Sequence, residues 1–164
     1  MRFSRWFTGR GDDGTTDLLI GKRVKKSHPI VSALGAIDEL SAALGCCRAK
    51  TKDESKYYDI FLNCQRELVS LMGALASQNS FSAKDYIEKT IEEISKETTM
   101  PNEFVIPGNN DLEATINLAR TICRRAERSA VLAKADCGII TYLNRLSTLL
   151  FMLTIKFTDK GQNI

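Results

Sequence analysis

From residue 29 almost to its end, this chain repeats apolar positions at helical spacing, and the alternation that marks strands is scarce. A first helix is predicted from Pro29, a residue suited to the first helical turn, to about Ala49. Its apolar positions are Ile30, Leu34, Ile37, Leu40 and Leu44. Asp53 offers an N-cap for a second helix, in which Tyr57, Phe61, Cys64, Leu68, Leu71 and Leu75 alternate spacings of four and three. The polar run SQNSFS ends it. A third, more charged helix from about Ala83 to Lys96 carries only the thin stripe Ile87, Ile91 and Ile94. Met100-Pro101 and Pro107-Gly108 then bracket a connector, EFVI, that cannot be helical throughout. A fourth helix is predicted from about Asp111 to Ala133. A fifth opens near Asp136, with Leu143, Leu146, Leu150, Leu153 and Phe157 as its seam. The expected fold class is all-α, a single up-and-down bundle of five helices over residues 28–159. An ordered arm, residues 1–27, precedes it, and a frayed tail, residues 160–164, follows.

Composition narrows the function classes. A length of 164 residues suits one domain with one core. The net charge of +3 is too slight to argue for nucleic acid, so any basic site must come from local clustering. No apolar stretch follows the N-terminal basic residues, and no segment approaches the roughly 20 apolar residues of a membrane span. No membrane partner is therefore expected. The five cysteines are odd in number, include the adjacent pair Cys46-Cys47, and lie in apolar surroundings. They read as reduced core thiols of a cytoplasmic protein. A single histidine, His28, and the lack of any CxxC argue against structural zinc, a Ser-His-Asp set or a Cys-His pair.

Four segments could carry chemistry. In LARTICRRAERSAV, Arg120, Arg124, Glu127 and Arg128 share one helical face beside Asn117, opposite the buried face of Leu112, Ile116, Ala119, Cys123, Ala126 and Ala130. Such a strip of guanidinium groups either binds a polyphosphate through forked hydrogen bonds or is a solvated face of i,i+4 ion pairs. The stretch TGRGDDGTTDL from Thr8 combines Gly9, Gly11 and Gly14 with the hydroxyls of Thr8, Thr15 and Thr16. Its backbone N–H groups could converge on an anion, although the spacing is not that of a P-loop and a flexible segment reads the same way. Asp38 shares a face with Val31, Leu34, Ala42 and Gly45, while Glu39 points away. Either that face is open to solvent, or Asp38 needs an arginine from this chain or another subunit. Asn144 and Arg145 interrupt the fifth helix, where Asn144 either meets a ligand or makes an interhelical hydrogen bond. With no nucleophile–base set in the chain, any reactive atom belongs to a substrate or cofactor.

Taken together, these segments resemble the PduO-type ATP:corrinoid adenosyltransferases. The family's T-x-T/R-G-D-x-G-T-T arm is matched by Thr8 to Thr16, and its R-V-x-K-x-x-P by Arg23, Val24, Lys26 and Pro29. Its G-T-V-D-E-L-N-S-x-x-G stands here as GAIDELSAALG, and its F-x-x-P-G-G as FVIPGN from Phe104. The blocks ARTICRRAER and YLNRLST complete the match, in order and over nearly the whole chain, with the second and third helices matched by pattern alone.

The resemblance implies transfer of the 5′-deoxyadenosyl group of ATP to cob(I)alamin, with Mg²⁺ carried mainly on the phosphates. It assigns ATP to Thr8, Gly9, Arg10, Gly11, Asp12, Gly14, Thr15, Thr16, Lys26, Arg120, Arg124, Glu127 and Asn144. Asp38 is paired with Arg120 across the interface of a homotrimer whose active sites lie between subunits. Phe104 takes the place of the aromatic that crowds the lower face of the cobalt. A flavoprotein-type reductase and an adenosylcobalamin-dependent client enzyme are the implied partners. The chain departs from the common pattern at Thr148 (an aspartate in many members), Arg10, Asn109 and Ser41. Thr148 invites the alternative of a non-catalytic nucleotide or corrinoid carrier. A helical adaptor using the arginine face on nucleic acid fits the weak net charge poorly.

Overall fold

A computed structural model describes residues 9–82, 85–102 and 105–158. The described elements are a short hairpin, β1 (Thr15–Asp17) and β2 (Arg23–Lys25), and five helices: α1 (Pro29–Lys50), α2 (Ser55–Ser77), α3 (Tyr86–Ser95), α4 (Asp111–Leu132) and α5 (Cys137–Phe157). The five-helix expectation holds. The arm, for which no strand was expected, contains a short antiparallel pair with Thr16 opposite Val24. Three-residue strands are too short to show a period in sequence. The expected frayed tail lies outside the described residues.

Helix ends follow from side chains that satisfy otherwise orphaned backbone groups. His28 caps α1, its Nδ1 accepting from the Ile30 N–H at 3.2 Å. Asp53 does not cap α2: the N-cap position falls to Glu54, which makes no side-chain cap bond. Asn110 caps α4, its Oδ1 accepting from the Glu113 N–H at 2.9 Å. The Glu113 carboxylate, fully buried, reaches back to accept from the N–H groups of Gly108 (2.7 Å) and Asn109 (3.1 Å). Asp136 caps α5 and also accepts from the Phe81 N–H at 3.1 Å, tying the α2–α3 connection to the start of α5.

Packing puts α1 against both α2 and α4, α4 against α5, and α3 against α5. The core face of α4 is built from Ile116, Ala119, Cys123, Ala126 and Ala130, all fully buried. Alanine and cysteine let α1 and α5 approach its backbone closely, and the bulk comes from Ile37, Leu40 and Leu44 of α1 and Leu143, Leu146 and Leu150 of α5. Each such Leu or Ile contributes about 1.5–3 kcal/mol by leaving water. The outer members of the predicted stripes (Leu34, Tyr57, Ile91, Leu112 and Phe157) are only half-buried.

Two expectations change. Cys47, Cys64 and Cys123 are buried thiols, but Cys46 and Cys137 are exposed. Desolvation pushes Cys47 and Cys64 up to about 12 and Cys123 also upward, which removes them as nucleophiles. Secondly, α1 and α5 are long and apolar enough to pass for membrane spans, with mean hydropathy 1.5 and 1.4. Both bury an apolar face in this bundle, as core helices do.

At the opposite end from the Asp136 cap, Glu97 accepts from Lys56 at 2.7 Å and Lys156 at 2.9 Å, joining the segment after α3 to α2 and α5.

Two measurements test this packing. A methyl group at Gly138 would sit 1.8 Å from the Phe81 carbonyl oxygen. Gly138→Ala should therefore cost at least about 1–3 kcal/mol in urea unfolding, the range for overpacking; an unchanged midpoint would refute the contact. The hydrogen bond from Lys56, then that from Lys156, lowers the Glu97 carboxyl to about 2. A depressed folded pKa adds stability above the unfolded carboxylate pKa, and that stability is lost as pH falls toward the folded value. The Tm difference between wild type and Glu97→Gln should thus be largest above about pH 5 and vanish toward about pH 2.

Candidate active site

The arm is held by one arginine. Arg23 on β2 donates to the Arg10 carbonyl and to the carboxylates of Asp13 (3.2 Å) and Asp17 (3.4 Å). Arg10 itself pairs with Asp17 at 3.2 Å. The Thr15 hydroxyl (2.6 Å) and N–H (3.0 Å) both donate to Asp13, and the hydroxyl bond is the chief reason its carboxyl falls to about 2. Gly9 and Gly14 take positive φ values, 70° and 77°, that let the chain turn twice within a few residues. Lys26 folds back over this turn: its Nζ lies 3.2 Å from where a Cβ of Gly11 would be, and its N–H donates to the Gly14 carbonyl at 2.8 Å. Gly9, Arg10, Gly11, Asp12, Gly14, Thr15, Thr16 and Lys26 thus belong to one folded unit. Thr8 and Phe104 lie outside the described residues.

A second group forms where α4 and α5 run side by side. Arg120 is half-buried, with Nε donating to Asn117 Oδ1 at 2.8 Å and its guanidinium carbon 5.9 Å from the centre of the Phe151 ring. A ring face at this distance attracts a cation and fixes its plane. About two turns along, Asn144 Nδ2 donates to Glu127 Oε1 at 3.1 Å. Antiparallel pairing of Arg120 with Phe151 and Glu127 with Asn144 places Arg124 between them, level with Thr148. Arg124 is exposed and its guanidinium has no partner among the described residues. Its neighbours are engaged: Arg125 pairs with Glu39 of α1, and Arg128 donates to the Arg124 carbonyl at 3.2 Å. Thr148 turns its hydroxyl to the Asn144 carbonyl at 3.3 Å and brings no negative charge to the strip.

Both open readings of Asn144 and the arginine strip resolve in part. Asn144 does make an interhelical hydrogen bond, and Arg125, not Arg124, uses the ordinary surface ion pair. Asp38 is exposed and has no ion-pair partner among the described residues, so Arg120 does not meet it within the chain. Glu39 points away, as expected, toward α4. Sequence reasoning missed Phe151, and it placed Asn117 beside the strip and Arg23 in the arm motif without foreseeing their contacts. The signals were present: Asn117 stands three residues before Arg120, and Phe151 lies seven after Asn144 on the same face of α5. The Arg23 bonds cross a turn and had no such spacing.

Known proteins share this framework. The family model for cobalamin adenosyltransferase matches residues 6–157. The corrinoid adenosyltransferase PduO of Citrobacter freundii is 34% identical over 161 residues, covering 90% of this chain and 48% of the relative. The chain thus spans about half the length of that relative and of its Salmonella typhimurium counterpart, also matched over 48%. The corrinoid adenosyltransferase of Mycobacterium leprae is 33% identical over 184 residues, covering 100% of this chain and 96% of the relative. Among solved structures, a variant of the PduO-type ATP:corrinoid adenosyltransferase from Lactobacillus reuteri, complexed with cobalamin and ATP, superposes with TM-score 0.83. It is 25% identical, over 92% of this chain and 89% of that one. A second variant from the same organism, complexed with ATP, gives TM-score 0.78 at 27% identity over 91% of both chains. With the arm, the α4 arginine strip and the α5 asparagine all within the matched span, the chain belongs to the cobalamin adenosyltransferase family.

Proposed function

We propose that this chain transfers the 5′-deoxyadenosyl group of ATP to a cob(I)alamin-type corrinoid, releasing triphosphate. The observation that carries the reading is Arg124, an unneutralised guanidinium between a stacked arginine and a carboxylate–amide pair. Four cations in nine residues repel one another unless each finds a counter-charge. Among the described residues Arg125 alone finds one, in Glu39; Arg120 and Arg128 are held by neutral acceptors and Arg124 by none, so an anionic ligand suits the strip, and Arg124 first of all.

In the reaction, the electron pair of Co(I) attacks C5′, the C5′–O bond breaks, and its electrons leave on the triphosphate. Cobalt is the nucleophile and belongs to the substrate, so the chain has to supply alignment and charge stabilisation. Arg120 and Arg124 hold the developing negative charge, with Arg120 kept in plane by Phe151. The described part of the arm, residues 9–27, would meet the phosphates through Lys26 and its backbone N–H groups. Glu127 and Asn144 provide hard oxygen atoms near the same phosphates. Among the described residues no cluster of three carboxylate, histidine or cysteine ligands exists. Mg²⁺ is commonly held by substrate phosphates and one or two carboxylates, and Glu127 would be the carboxylate here. Bound there, Mg²⁺ would neutralise triphosphate charge. The F-x-x-P-G-G pattern supports Phe104 as an apolar wall for the lower face of the corrin, which would exclude a lower ligand and ease reduction to Co(I).

The half-exposed α1 face around Val31, Leu34 and Ala42, with Asp38 unpartnered in its midst, supports a homotrimer in which Asp38 meets Arg120 of the partner subunit. The terminal nitrogens of Arg120 remain available for that pair, since Nε alone serves Asn117. Five free thiols suit a reducing compartment, hence the cytoplasm. A flavoprotein-type reductase upstream and an adenosylcobalamin-dependent enzyme downstream complete the proposal.

Anaerobic incubation with ATP, Mg²⁺ and chemically reduced cob(I)alamin should give light-sensitive adenosylcobalamin and triphosphate. Binding of ATP without product would instead favour a carrier. Arg124→Ala should keep the wild-type Tm and lose about 10²–10³-fold in kcat, the scale of removing one transition-state donor; near-normal turnover would eliminate its phosphate role. Asp38→Asn should shift sedimentation toward smaller species or reduce turnover, and full retention of both would remove the inter-subunit pair.

A further inference from the structure

A chain of polar contacts runs from α3 through Arg145 and Asn144 to Glu127 of α4. Glu88 of α3 pairs with Arg145 Nε at 3.3 Å. The same guanidinium donates through a terminal nitrogen to Asn144 Oδ1 at 3.4 Å. Asn144 Nδ2 in turn donates to Glu127 Oε1 at 3.1 Å. Chemistry fixes the direction of every link. A guanidinium only donates and an ionised carboxylate only accepts, so the Asn144 amide satisfies both neighbours in one orientation alone. Turned over, it would set NH₂ against guanidinium and carbonyl oxygen against carboxylate.

We infer that Glu88 and Arg145 are positioning residues that hold the Asn144 amide, and through it Glu127, in the orientation the ATP site requires. This rests on the assignment of Asn144 and Glu127 to the nucleotide. The inference gives α3 a role beyond covering α5. The third helix is the most weakly patterned of the five, and its thin apolar stripe leaves Glu88 free to face α5. Arg145, one residue beyond Asn144, is about 100° round the helix and so points to α3 while Asn144 points to α4. Arg145 thus bridges the two faces. The Glu88–Arg145 pair is solvent-exposed, with side-chain exposures of 61% and 45%. Its contribution is therefore one of orientation, with little effect on stability.

The test compares wild type, Glu88→Gln, Glu88→Lys and the control Glu92→Gln, which removes a charge from the same helix outside this chain of contacts. ATP affinity is measured by calorimetry with Mg²⁺ and no corrinoid, and the Asn144 side-chain amide is followed by ¹⁵N–¹H correlation. Glu88→Gln should weaken ATP binding about three-fold, the scale of an exposed ion pair. Glu88→Lys should weaken it about ten-fold, since a like charge then displaces Arg145. Both should shift the Asn144 amide signals, leave Tm within a degree or so, and raise the KM for ATP but not that for the corrinoid. Glu92→Gln should do none of this. ATP affinity and amide signals unchanged in both Glu88 variants, or changed equally by Glu92→Gln, would overturn the inference. Wild type that binds ATP but makes no adenosylcobalamin would sink the proposed activity and leave the positioning role readable; wild type that fails to bind ATP would sink both.

Discussion

Everything in the site depends on the narrowness of one helix face. α4 buries Ala119, Cys123, Ala126 and Ala130 against α1 and α5, so its axis lies close to both neighbours. Close approach is what lets side chains on the remaining surface of α4 touch α1 on one side and α5 on the other. Arg125 reaches Glu39 of α1, and Glu127 reaches Asn144 of α5, from positions only two residues apart. A leucine in place of Ala126 would widen the spacing and separate these pairs as well as strain the core. The small-residue face and the arginine strip are therefore one design read from opposite sides of the helix.

The groove between α4 and α5 is graded in polarity. At one end Arg120 lies over an aromatic ring, in an environment half out of water. At the other, a carboxylate and an amide form an exposed pair. Between them Arg124 and Thr148 offer one full positive charge and no negative one. A triphosphate laid along such a groove meets donors along its length and a carboxylate only near the Glu127 end, where a divalent cation would sit between like charges. The arm is knit differently: the N–H groups of Asp12, Gly14 and Thr15 donate to Gly9, Gly11 and Asp13 within its turns, and Arg23 ties those turns together through Arg10, Asp13 and Asp17.

The bundle was legible in sequence because each long helix repeats its apolar positions over five or six turns, enough to override single exceptions. The errors fall where the determinants are short or non-local. Asp53 is a sound N-cap by residue type, but the turn after α1 is shaped by Thr51, whose buried hydroxyl returns to the Cys47 and Arg48 carbonyls, and the helix starts one residue later than an Asp53 cap requires. Cys46 and Cys137 were read as core because cysteine is commonly buried; one sits beside the buried stripe of α1 and the other in the first turn of α5, where a helix end meets solvent. Asn110 and Glu113 stand in the sequence at the spacing of an N-cap and its third helical residue. What could not be read was that Glu113 would be wholly buried, since that depends on the Gly108–Asn109 turn folding back over it.

The site residues divide along the same line. Helical phase alone placed Arg120, Arg124 and Glu127 on one face, because phase within a helix is fixed by counting. Which arginine guanidinium would be left without any partner among the described residues could not be counted, because it depends on what α1 and α5 bring alongside. Arg124 and Arg125 are adjacent in sequence and identical in chemistry. A rotation of about 100° sends one toward Glu39 and the other into the groove beside Thr148. An acidic residue at 148 would sit level with Arg124 and compete with any anionic ligand for it. Threonine instead spends its hydroxyl on the Asn144 carbonyl, and the guanidinium stays available. The departure from the common family pattern that first suggested a loss of function therefore leaves the groove more positive, which favours a bound polyphosphate.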